Sequence, residues 1–385
     1  MKRFIEYWKY DLLIFIGFII LIFGIGYTIQ TDFYLHTEHV LKINEGIKTY
    51  PPNFIYYLLV HVLTGFTDDY ITAYSCTLFL VAISLFIKYY ITKMYFFELK
   101  YNKVLILFIA LACSLYFSVP DPLGILHNTF YLGRFVPNLF HNSTLLLSMP
   151  VTLLLFMKQI VIIKRNYVVS KKEWLVIFIL ITLQVFSKPS YLFAFIPTCL
   201  LFITLNKIKE SVVVVAKTMF VYILGIVLIF GSTIIIYKYG VGDYSQEKSQ
   251  ILISLFENHK AYYPFWYFPI VILCSFLFPI VYIIYNHRNI GKNTELLFAL
   301  VCLIVGLFIG FLVSEVGPRK GDGNFLWQIV ACYYVLLIVM VKNWLMKIQN
   351  KEIDLLEHRV LATCFTLHVL SGGYYIFSLF YFRHI

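Results

Sequence analysis

Residues 12–29 read Leu12-Leu13-Ile14-Phe15-Ile16-Gly17-Phe18-Ile19-Ile20-Leu21-Ile22-Phe23-Gly24-Ile25-Gly26-Tyr27-Thr28-Ile29, and Gln30-Thr31-Asp32 follow. A charge-free run of this length suits a helix crossing a bilayer, which takes about 20 apolar residues within a range of about 17–25. Lys2, Arg3 and Lys9 precede it, as at the start of a signal peptide, but no small-x-small cleavage site follows. The run therefore reads as an uncleaved first span with its N-terminus inside. Similar runs follow at 70–92, 104–119, 144–163, 174–187, 189–206, 211–237, 263–285, 295–313, 325–342 and 360–381. The pattern predicts an all-α, polytopic integral membrane protein of about eleven spans. It is one transmembrane domain over 1–385 with no soluble domain. The runs 174–187 and 189–206 meet at Lys188-Pro189 and read as a tight hairpin.

Composition agrees. The 385 residues are 61% hydrophobic and 13% charged, against roughly 45–50% and about 25% in soluble domains. This excludes an ordinary cytosolic enzyme, a disordered chain and a secreted disulfide scaffold. An aromatic content of 19% suits belts at both bilayer interfaces. The net charge of +11 reads as loops held in the cytoplasm and not as a nucleic-acid surface. The seven cysteines all lie in apolar runs without a CxxC, as small core residues do. Heavy use of Lys, Ile, Phe, Tyr and Asn with little Ala points to an AT-rich bacterial genome, and so to a multi-pass protein of a bacterial cytoplasmic membrane.

The segment 53–66 follows Pro51-Pro52 and is too short to span. It is expected as an interfacial half-helix on the outer face. With that placement Lys88, Lys93, Lys100 and Lys103 fall in one inner segment, and Lys plus Arg divide about two to one in favour of inner segments. The outer loops are then 30–69, 120–143, 238–262 and 314–324. His36, His39, His61, His127, His141, His259 and His384 lie on or near that face. An active face would be extracytoplasmic.

Three outer clusters carry candidate chemistry. On a helix, Asp32, His36 and His39 share one face. A carboxylate at the bilayer edge is partly desolvated, which raises its pKa toward that of a general base. The alternative reading is a solvated helix cap. Carboxylate and imidazole are also ordinary ligands of a divalent cation, although HxxH alone assigns no metal site. In the second cluster, Arg134 is the only Lys or Arg between Lys103 and Lys158, and it lies between His127 and His141-Asn142. A guanidinium there suits a phosphate through two charge-assisted hydrogen bonds; headgroup contact or snorkelling is the alternative. The third, Glu315 to Trp327, sets Glu315, Arg319, Lys320 and Asn324 among three glycines. It reads as an anion site beside a polar substrate, or as a solvated connector.

This layout resembles the GT-C superfamily of membrane glycosyltransferases. Those proteins have many spans, a long first outer loop with interfacial helices, and an acidic residue just after the first span. Here Asp32 occupies that place and 39–66 the interfacial part. Where those proteins carry a paired acid, Phe33 and Tyr34 follow Asp32. The resemblance implies a polyprenyl-phosphate-linked sugar donor, a glycan, lipid or protein acceptor, and inverting transfer with Asp32 as general base. Our reading of charge and position adds Arg134, Arg319 and Lys320 at the departing phosphate, and His36, His39, His127 and His141 on sugar hydroxyls or a metal. Two alternatives stand beside it. A polysaccharide polymerase or ligase would use the same lipid-linked sugars. A transporter or flippase would need polar residues at mid-membrane depth, and the spans read as nearly free of charge there.

Overall fold

The computed structural model describes residues 8–29, 31–122, 134–138, 140–207, 210–239, 250–257, 264–317 and 323–381. Its helices, in chain order, are α1 (Trp8–Thr28), α2 (Asp32–Asn44), α3 (Ile55–Thr64), α4 (Tyr70–Phe96), α5 (Lys103–Leu111), α6 (Ser143–Lys164) and α7 (Lys171–Ser187). There follow α8 (Ser190–Lys207), α9 (Val212–Tyr239), α10 (Phe268–Ser275), α11 (Leu277–Ile290), α12 (Thr294–Leu312), α13 (Trp327–Gln349) and α14 (Leu355–Tyr381). The protein is thus an almost wholly helical, multi-pass chain. One departure is a short antiparallel ribbon, β1 (Gln250–Ile253) against β2 (Val313–Val316), with Ile251 opposite Glu315.

Among the described residues eight helices are long and apolar enough to cross a bilayer: α1, α4, α6, α8, α9, α12, α13 and α14. The eleven runs read from the sequence reduce to these for identifiable reasons. The 174–187 run becomes α7, just short of a full crossing. The 104–119 run becomes α5 and a π-helical turn, Ala112–Tyr116, about 20 Å long at 1.5 Å per residue. The 263–285 run becomes α10 and α11, bent by 64° at Phe276. Pro279 has no amide hydrogen to give the Ser275 carbonyl four residues earlier. The Tyr333 hydroxyl donates to that carbonyl instead, at 2.6 Å. His368 Nε2 accepts from the Phe278 amide at 3.3 Å.

The central element is α13, buried continuously over Gln328–Lys342. Around it pack α6, α8, α11 and α12. By contrast α1 and α9 expose Leu13, Ile20, Val227 and Phe230, as faces turned to lipid do. The short α3 rests on α2 and α4 through Val40, Tyr56, Val60 and Leu80. At ten residues it is about 15 Å long, half of what a crossing needs. Gly65, at φ 63°, stops it in the left-handed region that glycine tolerates.

Polar contacts gather at the two ends of the bundle. One end joins Asp11 to Lys93, Lys342 to Glu98, Lys347 to Glu357 and Lys164 to Glu295. The other end collects α2, the start of α6, the α7–α8 turn, the ribbon and the start of α13.

Lys88 lies between the ends. The sequence reading grouped it with an inner loop, but α4 continues to Phe96 and Lys88 is sealed in the core at 1% exposure. It sits about 16 Å along α4 from Thr77, which bonds Thr37 of α2. The spans are therefore not free of charge at depth. Lys88 Nζ donates to Asn138 Oδ1 at 2.6 Å and approaches the Ser114 carbonyl at 3.4 Å. The Tyr334 ring centroid is 3.9 Å away. Asn138 in turn donates to the carbonyls of Cys113 and Phe117. Residues 134–138 are buried and non-helical, which a membrane protein tolerates only where protein groups satisfy the backbone.

Candidate functional site

The site is assembled at the loop-rich end, where three chain reversals meet. Thr31 caps α2, its hydroxyl accepting from the Phe33 amide. This sets Asp32 as the first helical residue, where negative charge is favoured. Asp32 is 24% exposed. Its Oδ1 accepts from the Ser143 amide at 3.3 Å, and His36 Nε2 lies 3.6 Å from its Oδ2. The other nitrogen of His36 bonds the Tyr57 hydroxyl at 2.8 Å. The carboxylate is therefore oriented by two helices while an edge stays accessible.

Asn142 caps α6, its Oδ1 accepting from the Leu145 amide at 2.9 Å. Next to it, His141 packs edge-on against Trp327, with ring centroids 5.9 Å apart. Burial holds the His141 imidazole below its ordinary pKa; Asp32 opposes that shift and Lys188 adds to it. A ring held neutral near neutral pH offers one nitrogen as donor and the other as acceptor. The His141 Nδ1 is buried without a hydrogen bond among the described residues, while the Tyr56 phenol meets the hydroxyls of Ser143 and Thr77. Tyr56 is within electrostatic reach of Asp32. A buried polar atom left like the His141 Nδ1 is uncommon in folded proteins and asks for a partner.

The third reversal supplies a cation. Pro189 forces the residue before it out of the helical region, so α7 ends and Lys188 adopts an extended backbone. Lys188, 9% exposed, directs Nζ to Thr144 Oγ1 at 3.1 Å and Asn142 Oδ1 at 3.4 Å. The Trp327 ring centroid lies 5.5 Å away. Asp32 and Lys188 thus flank the first turn of α6 from two sides.

Lys188 also lines a cavity of about 470 Å³ between α8 and α9. Its walls are apolar, with Phe193 and Ile196 facing Ile229 and Ile236. Asn324 and Tyr237 also line it. Both donate to the buried carboxylate of Glu315, Asn324 at 2.8 Å.

The structure brings Asp32, His36, His141 and Asn142 together, and Glu315 with Asn324 nearby. His39 is separated from them: its Nε2 lies 3.4 Å from the Thr49 carbonyl. Burial, with Lys48 nearby, pushes its pKa down to about 4. Among the described residues no three His, Cys, Asp or Glu side chains converge to hold a metal. Arg134, expected at a phosphate, forms a buried ion pair with Asp121 at 2.6 Å, and Tyr267 donates to the same carboxylate at 2.5 Å. His127, Arg319 and Lys320 lie outside the described residues. Lys188 was not singled out from the sequence, although it is the only Lys or Arg between Lys172 and Lys207. The test that drew attention to Arg134 would have found it. No protein family, curated protein or solved structure matches the chain.

Proposed function

We propose that the chain is a membrane glycosyltransferase that moves a sugar from a polyprenyl-phosphate donor to an acceptor hydroxyl at the extracytoplasmic face, with its N-terminus in the cytoplasm. One observation carries the reading: a part-exposed carboxylate, Asp32, is oriented by His36 and the Ser143 amide within reach of a buried cation across one helix terminus. In the reaction Asp32 accepts the proton of the acceptor hydroxyl as its oxygen attacks the anomeric carbon. The bond from that carbon to the phosphate oxygen breaks, the configuration inverts, and the electron pair leaves on the lipid phosphate. Lys188 and the first turn of α6 stabilise that charge. His141, kept neutral, hydrogen-bonds the sugar or acceptor. A polymerase or ligase acting on lipid-linked sugars uses the same steps with a glycan acceptor.

The test is Asp32→Asn in membranes supplied with lipid-linked sugars. We expect transfer to fall about 10²–10⁴-fold, the range of general-base loss, with expression unchanged. Full activity in that variant removes Asp32 from the reaction.

Lys88 favours a second reading, a transporter or flippase, because a charge buried at depth in a membrane bundle often marks a translocation path. That reading requires flux in proteoliposomes without chemical change of the solute, and requires that Lys88→Met abolish it.

A further inference from the structure

The cavity between α8 and α9 is an apolar space with one charged side chain on its wall among the described residues. Its volume of about 470 Å³ falls within the roughly 300–1,000 Å³ of small-ligand sites. Phe193, Ile196 and Pro197 form one wall, and Ile229, Phe230 and Ile236 the other. No sugar would fill such a surface, because its hydroxyls would be desolvated without partners. A hydrocarbon chain would. The polar groups are Lys188, Asn324, Asn53 and Tyr237 with Ser190, Ser232 and Thr233, and among the described residues Lys188 alone is charged. Glu315, which is not in the wall, has its carboxylate taken up by Asn324 and Tyr237.

Charge complementarity therefore selects an anionic head. Three further features suit a phosphate. Lys188 Nζ stands beside Asn142 and Thr144 at the start of α6, and helix N-termini attract phosphate oxygens. The His141 Nδ1 beside that turn is buried and lacks a hydrogen bond among the described residues. Trp327 covers the lysine, which limits competition from water. Beyond the cavity α9 exposes Val227 and Ile234, so a chain longer than the cavity continues along a lipid-facing helix.

We infer that this cavity binds the chain of a phosphate-headed, single-chain lipid, with Lys188 on the phosphate. The inference rests on the transferase reading only for the sugar that such a lipid would carry. It assigns the phosphate to Lys188, where the sequence reading had named Arg134, Arg319 and Lys320, and it assigns the chain to α8 and α9.

The full-length protein in detergent, titrated with undecaprenyl phosphate and followed by native mass spectrometry, tests this. We expect Lys188→Met to weaken binding at least tenfold and Lys188→Arg to restore most of it. Ile229→Trp, which fills the cavity and leaves the lysine, should weaken binding to a similar degree. Inorganic phosphate should not displace the lipid, and phosphatidylglycerol should bind more weakly. Wild-type affinity in both Lys188→Met and Ile229→Trp, checked as folded by size-exclusion profile, overturns the inference. Displacement by inorganic phosphate alone, or equal binding of phosphatidylglycerol, overturns it too. Asp32→Asn separates the two readings: it should bind the lipid as the wild type does. If that variant still transfers sugar, the assignment of the base fails and the lipid site stands.

Discussion

Lys88 and Lys188 are buried in matching surroundings and do opposite things. Each ammonium faces an asparagine side-chain oxygen, a second oxygen and an aromatic ring. For Lys88 these are Asn138 at 2.6 Å, the Ser114 carbonyl and Tyr334 at 3.9 Å. For Lys188 they are Asn142 at 3.4 Å, Thr144 at 3.1 Å and Trp327 at 5.5 Å. The two asparagines are four residues apart on one segment. The tight set is closed on all sides and ties a non-helical strap into the bundle. The looser set borders a cavity. What separates a structural lysine from a binding one here is contact distance and adjoining space, not residue type or burial.

The largest effects should come from breaking the closed set. Asn138→Ala removes the shortest acceptor of a buried charge and the donor to two carbonyls. A cost of about 3–5 kcal/mol is expected, from a hydrogen bond to a charged group at about 1.5–3 kcal/mol and buried carbonyls left unsatisfied at about 1–3 kcal/mol, read as lost thermal stability in detergent. Adding Lys88→Met should recover much of it, since the stranded charge is then gone. Strict additivity in that cycle would mean the two residues are not coupled.

The strap's other tie makes a similar prediction. Arg134→Met strands Asp121 and should cost about 3–5 kcal/mol, the range for leaving a buried charge uncompensated, while the protein that remains folded binds undecaprenyl phosphate normally. Loss of lipid binding with stability intact would return the phosphate role to Arg134.

A smaller effect concerns pH. His39 has a pKa of about 4 in the folded protein and an ordinary value near 6.5 when unfolded. Between those values the unfolded chain binds the extra proton, so stability is complete above pH 6.5 and declines as pH falls toward 4. Lys48, Lys42 and the His36 ring lie within electrostatic reach of His39. His39→Leu should flatten the melting temperature over that window, and an unchanged slope would assign the dependence to other groups.

Much of the fold was legible in the sequence because hydropathy and length decide which segments can cross a bilayer. Residues 12–29 and the shortness of 53–66 were read that way. Lys88 was misread because a charge near the end of an apolar run looks the same whether the helix stops there or continues. The break at Phe276 depends on Pro279 and on Tyr333 far along the chain. In the site, Asp32 was legible from its position after the first span. The Arg134–Asp121 pair was not, because spacing does not say which charges meet. Lys188 was legible and passed over as a turn.

The bend between α10 and α11 has a mechanical consequence. A broken helix whose freed carbonyl is met by water can flex as hydration varies. Here the Ser275 carbonyl is met by Tyr333 and the Phe278 amide by His368, so the joint is latched to α13 and α14. It cannot swing without sliding those two helices or breaking a bond that nothing in a lipid environment would replace. Any opening at that joint and any shift of the central helix are a single movement, whose stiffness is set by one phenol hydroxyl and one imidazole.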